Sequence, residues 1–248
     1  MSAGKIRAGI GGWTYEPWRG VFYPAGLPQA REQAYALEKL TAIEINATYY
    51  GRQSPKSWEK WAKAAPPGFQ FAVKASRFAT NRKVLADGAE SVANFLGQGF
   101  TVLGPALGPI LWQFMATKKF EREDFARFLD LLPEAQDGVP LRHALEVRHE
   151  SFIDPAFFAL AHDKNAAIVF ADSAEFPEID EPTADFRYAR LMRTQEDIET
   201  GYDAAALDGW AAKARDWAKS GDAYMFFISG AKVRAPAAAM ALIERVAA

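Results

Sequence analysis

The chain has 248 residues, half of them hydrophobic and 24% charged, with a formal net charge of -2. That balance is ordinary for a globular protein with a large core, and it gives no electrostatic reason to expect a nucleic-acid partner. There are no cysteines, which excludes disulfides, thiolate nucleophiles and cysteine-ligated zinc or iron–sulfur centres.

Residues 1–12 hold two basic residues but no apolar run long enough for a signal peptide. No later stretch approaches the roughly 18 apolar residues of a membrane helix, so the expected location is cytoplasmic with no membrane partner. Short apolar runs then alternate with helical patterns. The runs are 6–12, 42–48, 69–75, 109–115, 143–149, 167–172, 186–192 and 223–229. Between most of them lie helix signals. Ser54-Pro55 and Asp154-Pro155 are cap-and-proline starts. Phe125, Phe128, Leu129 and Leu132 recur at helical spacing. Asp203 precedes a stripe of Leu207, Trp210, Ala211, Ala214 and Trp217, and Pro236 opens a last helix with Met240, Ile243 and Val246. One connection breaks the rhythm: residues 173–185 carry Phe176-Pro177, Pro182 and five acidic residues, too short and too proline-broken for a crossover helix. The strand–helix alternation predicts a parallel sheet. Eight runs at this length favour one α/β domain over residues 1–248, a (β/α)₈ TIM-type barrel with an irregular sixth crossover. An open doubly wound sheet would need a G-x-G-x-x-G turn, which Gly9-Ile10-Gly11-Gly12-Trp13 does not supply.

Five blocks carry a family resemblance. They are Gly9-Ile10-Gly11-Gly12-Trp13-Thr14-Tyr15 with Trp18-Arg19-Gly20 and Phe22-Tyr23-Pro24; Ile43-Glu44-Ile45-Asn46-Ala47-Thr48-Tyr49-Tyr50; Phe71-Ala72-Val73-Lys74-Ala75-Ser76-Arg77-Phe78; Leu107-Gly108-Pro109-Ile110-Leu111-Trp112-Gln113-Phe114; and Glu146-Val147-Arg148-His149-Glu150-Ser151-Phe152. In this order they resemble the YecE-like proteins, domain-of-unknown-function family 72. The resemblance implies a TIM-type barrel and no particular reaction. This chain departs from the family pattern twice. Thr80-Asn81 stands where the family has Thr-His, and Phe226-Phe227-Ile228-Ser229 where it has Tyr-Phe-Asn-Asn. A histidine and two amides are therefore missing.

Barrel sites lie at the carboxyl ends of the strands, and residues two apart on a strand share a face. Glu44 and Asn46 therefore share a face opposite Ile43 and Ile45, and Glu146 and Arg148 one opposite Leu145 and Val147. Buried charge is costly unless paired or used, so the polar sets are expected inside the barrel near its mouth. Lys74, Gln113, Asp172 and Arg190 end four other runs, and Trp13, Tyr49 and Arg77 lie just beyond strand ends.

The candidate catalytic groups are Glu44, Glu146, Lys74 and Asp172. Trp13, Asn46, Tyr49, Arg77, Gln113, Arg148 and Arg190 are the candidate substrate-binding groups. The two glutamates suit acid–base chemistry on a glycosyl or phosphate ester; they equally suit a satisfied network with Arg148 and Lys74. A lysine paired with either would stay protonated and could not form a Schiff base. Asp172 could act as base or ligand, or cap a turn. His143, His149 and His162 do not converge, and no metal site is expected from them; carboxylates Glu44, Glu146 and Asp172 could hold magnesium. The cofactor and oligomeric state stay open. The expected function is an enzyme acting on a small anionic or sugar-like substrate. The alternative is a non-catalytic binder of a small ligand or of single-stranded nucleic acid, the latter disfavoured by the net charge.

Overall fold

The computed structural model describes residues 4–247. Its wall is built from eight parallel strand runs. In chain order they are β1 (Ile6–Gly11), β2 (Ala42–Ile45), β3 (Gln70–Lys74), β4 (Leu107–Gln113), β5 (His143–Glu146), β6 (Ala167–Ile168 and Phe170–Asp172), β7 (Phe186–Leu191) and β8 (Asp222–Phe227). Strands β1 to β5 pair in sequence order, and β1 also pairs with β8, which pairs with β7. The sixth run joins the two remaining edges. Ala167–Ile168 pairs with β5, Ala167 opposite Ala144. Phe170–Asp172 pairs with β7, Phe170 opposite Ala189. Val169 lies between, its N–H donating to Leu145 O at 3.0 Å. A strand bonded through one half to each edge wraps the sheet into a barrel and leaves no long open edge.

Among the described residues, seven helices of at least eight residues cover this wall: α1 (Gln29–Lys39), α2 (Pro55–Ala64), α3 (Ala89–Leu96), α4 (Arg122–Asp130), α5 (Pro155–Asp163), α6 (Ala204–Trp217) and α7 (Ala235–Ala247). Every connection carries one except β6 to β7, where residues 173–185 run without a helix, as the prolines predict. Ser54, Asp154 and Asp203 cap as expected, accepting from the N–H groups of Ser57, Ala156 and Ala206. Two local expectations shift. Helix α4 ends at Asp130, before Leu132. The buried stripe of α7 is Ala235, Ala238, Ala239 and Leu242, while Met240, Ile243 and Val246 are only partly covered. Alanines let this helix lie close to β1. None of the helices is long and apolar enough to cross a membrane, among the described residues.

Alternation along the strands divides the apolar residues into two cores. Ile43, Ile45, Phe71, Val73, Trp112, Leu145 and their neighbours face the helices. A smaller cluster fills the barrel, with Ala42, Ala72, Leu111, Ala144, Ala167, Val169, Tyr188, Tyr224 and Phe226. Small residues on one side of the lumen make room for four aromatic rings from β7 and β8, Phe186, Tyr188, Tyr224 and Phe226. Gly9 is part of this fit: a Cβ there would lie 1.8 Å from the carbonyl oxygen of Ala42. The amino-terminal end of the lumen is closed by a polar cluster. Asp222 pairs with Arg7 at 2.9 Å and Arg142 at 3.1 Å, and Gln70 accepts from Arg142 and from the Tyr224 hydroxyl.

Candidate active site at the barrel mouth

The opposite, carboxyl-terminal end carries a layer of charge directly above the apolar lumen. Glu44 and Glu146 are fully buried, as the alternation on β2 and β5 predicts, and Arg190 of β7 is 3% exposed. Arg190 lies between them. Its Nε and Nη2 donate to the two Glu44 oxygens at 3.2 and 3.1 Å, and its Nη1 donates to Glu146 Oε2 at 2.7 Å. Tyr188, two residues earlier on the same strand face, donates its hydroxyl to Glu44 at 2.7 Å. Gln113 donates to Glu146 Oε2 at 2.8 Å, and Arg148 Nε to Glu146 Oε1 at 2.9 Å.

The electrostatics follow from these contacts. Burial alone would raise the Glu146 carboxyl, but Arg190, Arg148, Gln113 and Lys74 outweigh it and hold it below the usual carboxylate range. Burial opposes the charge on Arg190, and Glu146 and Glu44 more than compensate. The Tyr188 phenol is pushed well up, by burial first and then by Glu44. It stays a hydrogen-bond donor throughout the ordinary pH range.

Lys74 differs from the expectation. Both carboxylates are satisfied by arginine, glutamine and tyrosine, and Lys74 joins neither in an ion pair among the described residues. Arg190 takes the place foreseen for it because a guanidinium can bond two carboxylates at once in a planar fork. The Lys74 side chain is 8% exposed, and its ammonium sits 4.2 Å from the centre of the Tyr49 ring. Burial, aided by Arg190 and opposed by Glu44 and Glu146, lowers it to about 8.

Lys74 opens onto a cavity of about 310 Å³ shared with Gly11, Asn46, Arg190, Ser229 and Lys232. Asn46 is half-buried and bonds back to Glu44 O at 3.3 Å. A neighbouring hollow of about 400 Å³ runs past Trp13 and Tyr50 and shares Asn46 and Lys232. Trp13 packs edge-on against Trp61 at 5.2 Å and forms the wall of that hollow.

Two candidates are placed elsewhere, and a third meets the mouth only through its ring. Asp172 sits on the outer face of the wall, accepting from Tyr202 at 2.7 Å and pairing with Arg193 at 3.1 Å. It therefore does not complete a magnesium set with Glu44 and Glu146, and no group of three potential metal ligands occurs among the described residues. Arg77 is exposed on the rim, stacked between Tyr50 and Phe78. Tyr49 contributes its ring to Lys74, while its hydroxyl accepts from Asn81 at 3.0 Å. Asn81 thus keeps a polar contact at the position where the family has histidine. The other departure removes polarity: Ile228 packs against the lumen cluster, and Ser229 lines the cavity.

His143 stays apart from the mouth. His143 accepts from the Trp112 indole at 3.0 Å and its other nitrogen meets Pro133 O at 2.8 Å, behind β5. Tyr188 and Lys232 join the mouth without being candidates from the sequence. Tyr188 is legible there, since it shares a strand face with Arg190. Lys232 is not, because only the course of the loop after β8 brings it back over the mouth, where it rests 4.3 Å from the Tyr15 ring.

Fold and site together define a parallel (β/α)₈ barrel with its polar layer at the carboxyl-terminal mouth, the arrangement in which barrel proteins carry their sites. The chain belongs to the family described as "Protein of unknown function DUF72", whose profile matches residues 7–248. It is 24% identical to a DUF72 family protein of Thermotoga maritima, with a TM-score of 0.81 over 98% of this chain and 100% of that one. A DUF72 family protein of Enterococcus faecalis superposes with a TM-score of 0.74 at 16% identity, covering 98% and 96%. The UPF0759 protein YunF of Bacillus subtilis is 27% identical over 158 residues, 62% of this chain and 54% of that protein, so the chain spans about half the length of this curated relative. A family 10 endo-xylanase, with a TM-score of 0.50 at 8% identity over 96% of both chains, shares the fold alone.

Proposed function

We propose that the chain binds and transforms a small anionic, polar molecule at the barrel mouth. One observation carries this reading: Lys74 places a nearly buried ammonium, in no ion pair among the described residues, on the wall of a ligand-sized cavity. The balance of charge around it points the same way. Four cations, Arg190, Arg148, Lys74 and Lys232, stand against two carboxylates, Glu44 and Glu146. Such an excess in a low-dielectric cleft favours an anion. A neutral sugar fits less well. Glycosyl transfer needs one carboxyl as acid and another as base or nucleophile, and both glutamates here are engaged by arginine.

The test is thermal unfolding with inorganic phosphate, sulfate and simple carboxylates at constant ionic strength. An anion at ten times its Kd should stabilise the fold by about 1.4 kcal/mol, and Lys74→Met should remove the effect. No stabilisation beyond that given by chloride would reject the reading. A non-catalytic binding role is the second reading, favoured by the full satisfaction of both glutamates. Recovery of the bound ligand unchanged after prolonged incubation would select it.

A further inference from the structure

We infer that Lys74 is a nucleophilic amine that condenses with the carbonyl group of a small anionic aldehyde or ketone. This inference rests on the anion-binding reading of the mouth and assigns the chemistry within it.

Position comes first. Lys74 is the last residue of β3 and lines the cavity rather than the packed lumen. Isolation comes second. An amine held by a carboxylate keeps its proton and cannot attack. The two carboxylates within reach of the mouth are held by other groups, Glu44 on β2 by Tyr188 and Arg190, and Glu146 on β5 by Arg190, Arg148 and Gln113. Arg190 and Arg148 therefore act twice. They remove the partners of Lys74 and add positive charge beside it. The Tyr49 ring favours the cation; burial and the guanidiniums prevail, and the amine is lowered to about 8. At neutral pH roughly a tenth is then in the reactive form. Room comes third. The cavity of about 310 Å³ has Asn46, Ser229 and Lys232 on its wall to meet an anionic group.

The step is balanced by the amine and water alone. The neutral nitrogen forms a bond to the carbonyl carbon and the carbonyl π pair moves to oxygen. One amine proton passes to that oxygen, giving a carbinolamine. The hydroxyl takes a proton from solvent and leaves as water, and the nitrogen lone pair forms the cationic imine. The imine then withdraws electrons from neighbouring carbon bonds.

Trapping tests it on the intact chain. The protein is incubated with pyruvate, or separately with dihydroxyacetone phosphate, between pH 6 and 10, reduced with cyanoborohydride, digested and mapped by mass spectrometry. The adduct is expected on Lys74, formed on the order of ten times faster than on Lys232 or any exposed lysine, and rising with a midpoint near pH 8. Labelling by pyruvate but not by the phosphate ester assigns a carboxylate; the reverse assigns a phosphate. Label spread over exposed lysines, or no Lys74 adduct with either probe, overturns the inference. Undigested, unlabelled protein from the same preparation is melted with inorganic phosphate. Stabilisation without an adduct overturns the amine and keeps the anion site, whereas an adduct without stabilisation keeps the amine and overturns the anion site.

Discussion

Arg190 reaches from β7 to Glu44 on β2, its Nε and Nη2 lying 3.2 and 3.1 Å from the two carboxylate oxygens. The same guanidinium also holds Glu146 of β5 at 2.7 Å. Three strands are thus tied across the lumen by one side chain. Replacing it by methionine takes the shared cation from two buried carboxylates, leaving Glu44 with the Tyr188 hydroxyl and Glu146 with Arg148 and Gln113. Arg190→Met should cost about 3–5 kcal/mol at pH 7, read from urea unfolding. Glu146 then loses the largest of the charges that hold its carboxyl down, so the variant should recover part of this stability as the pH falls toward 5. Adding Glu44→Gln should restore part of the loss at pH 7.

Lys74 is the reverse case, a group whose removal stabilises. Its amine is lowered from 10.5 to about 8, so the folded state binds its proton less tightly than the unfolded state does. The penalty is fully present below pH 8 and disappears as pH rises through 10.5. At about 1.4 kcal/mol per unit it amounts to roughly 3 kcal/mol, reduced by about 1 kcal/mol for the lost ring contact with Tyr49. Lys74→Met should therefore be more stable than the parent chain by roughly 2 kcal/mol at pH 7, with the gap narrowing above pH 8. Equal stability at pH 7 would contradict this.

His143 sets an acid-side slope. Burial lowers its imidazole from 6.5 to about 4, against a helping hydrogen bond to Pro133. The unfolded chain binds the proton first, so stability is lost as pH falls from 6.5 toward 4. The loss is about 3 kcal/mol over that interval. In His143→Gln the slope between pH 6.5 and 5 should flatten, measured by unfolding at a series of pH values, even though the variant is weaker at pH 7 for want of the Trp112 contact.

Two glycines should respond oppositely to alanine. At Gly9 the new Cβ meets the Ala42 carbonyl at 1.8 Å, and both atoms belong to the barrel wall. Gly9→Ala should cost more than about 3 kcal/mol or prevent soluble folding. At Gly209, inside α6, a Cβ meets nothing within 4 Å. Gly209→Ala should stabilise by about 0.5–1 kcal/mol in the same assay.

The sequence by itself determined the barrel and the polar layer on which the candidate site is built. Period-two alternation makes Glu44 and Glu146 face opposite their isoleucine, leucine and valine neighbours, and burying those neighbours under helices leaves the glutamates only the lumen. Proline at 177 and 182 was enough to delete the sixth helix. Pairings were not legible, because they join residues far apart in the chain: Glu44 and Arg190 are 146 positions apart. Which cation meets which carboxylate depends on strand stagger and on the reach of each side chain. Only the tertiary structure could therefore give both glutamates to Arg190, turn Asp172 outward to Tyr202, and leave Lys74 in the mouth with an amine that neither glutamate holds.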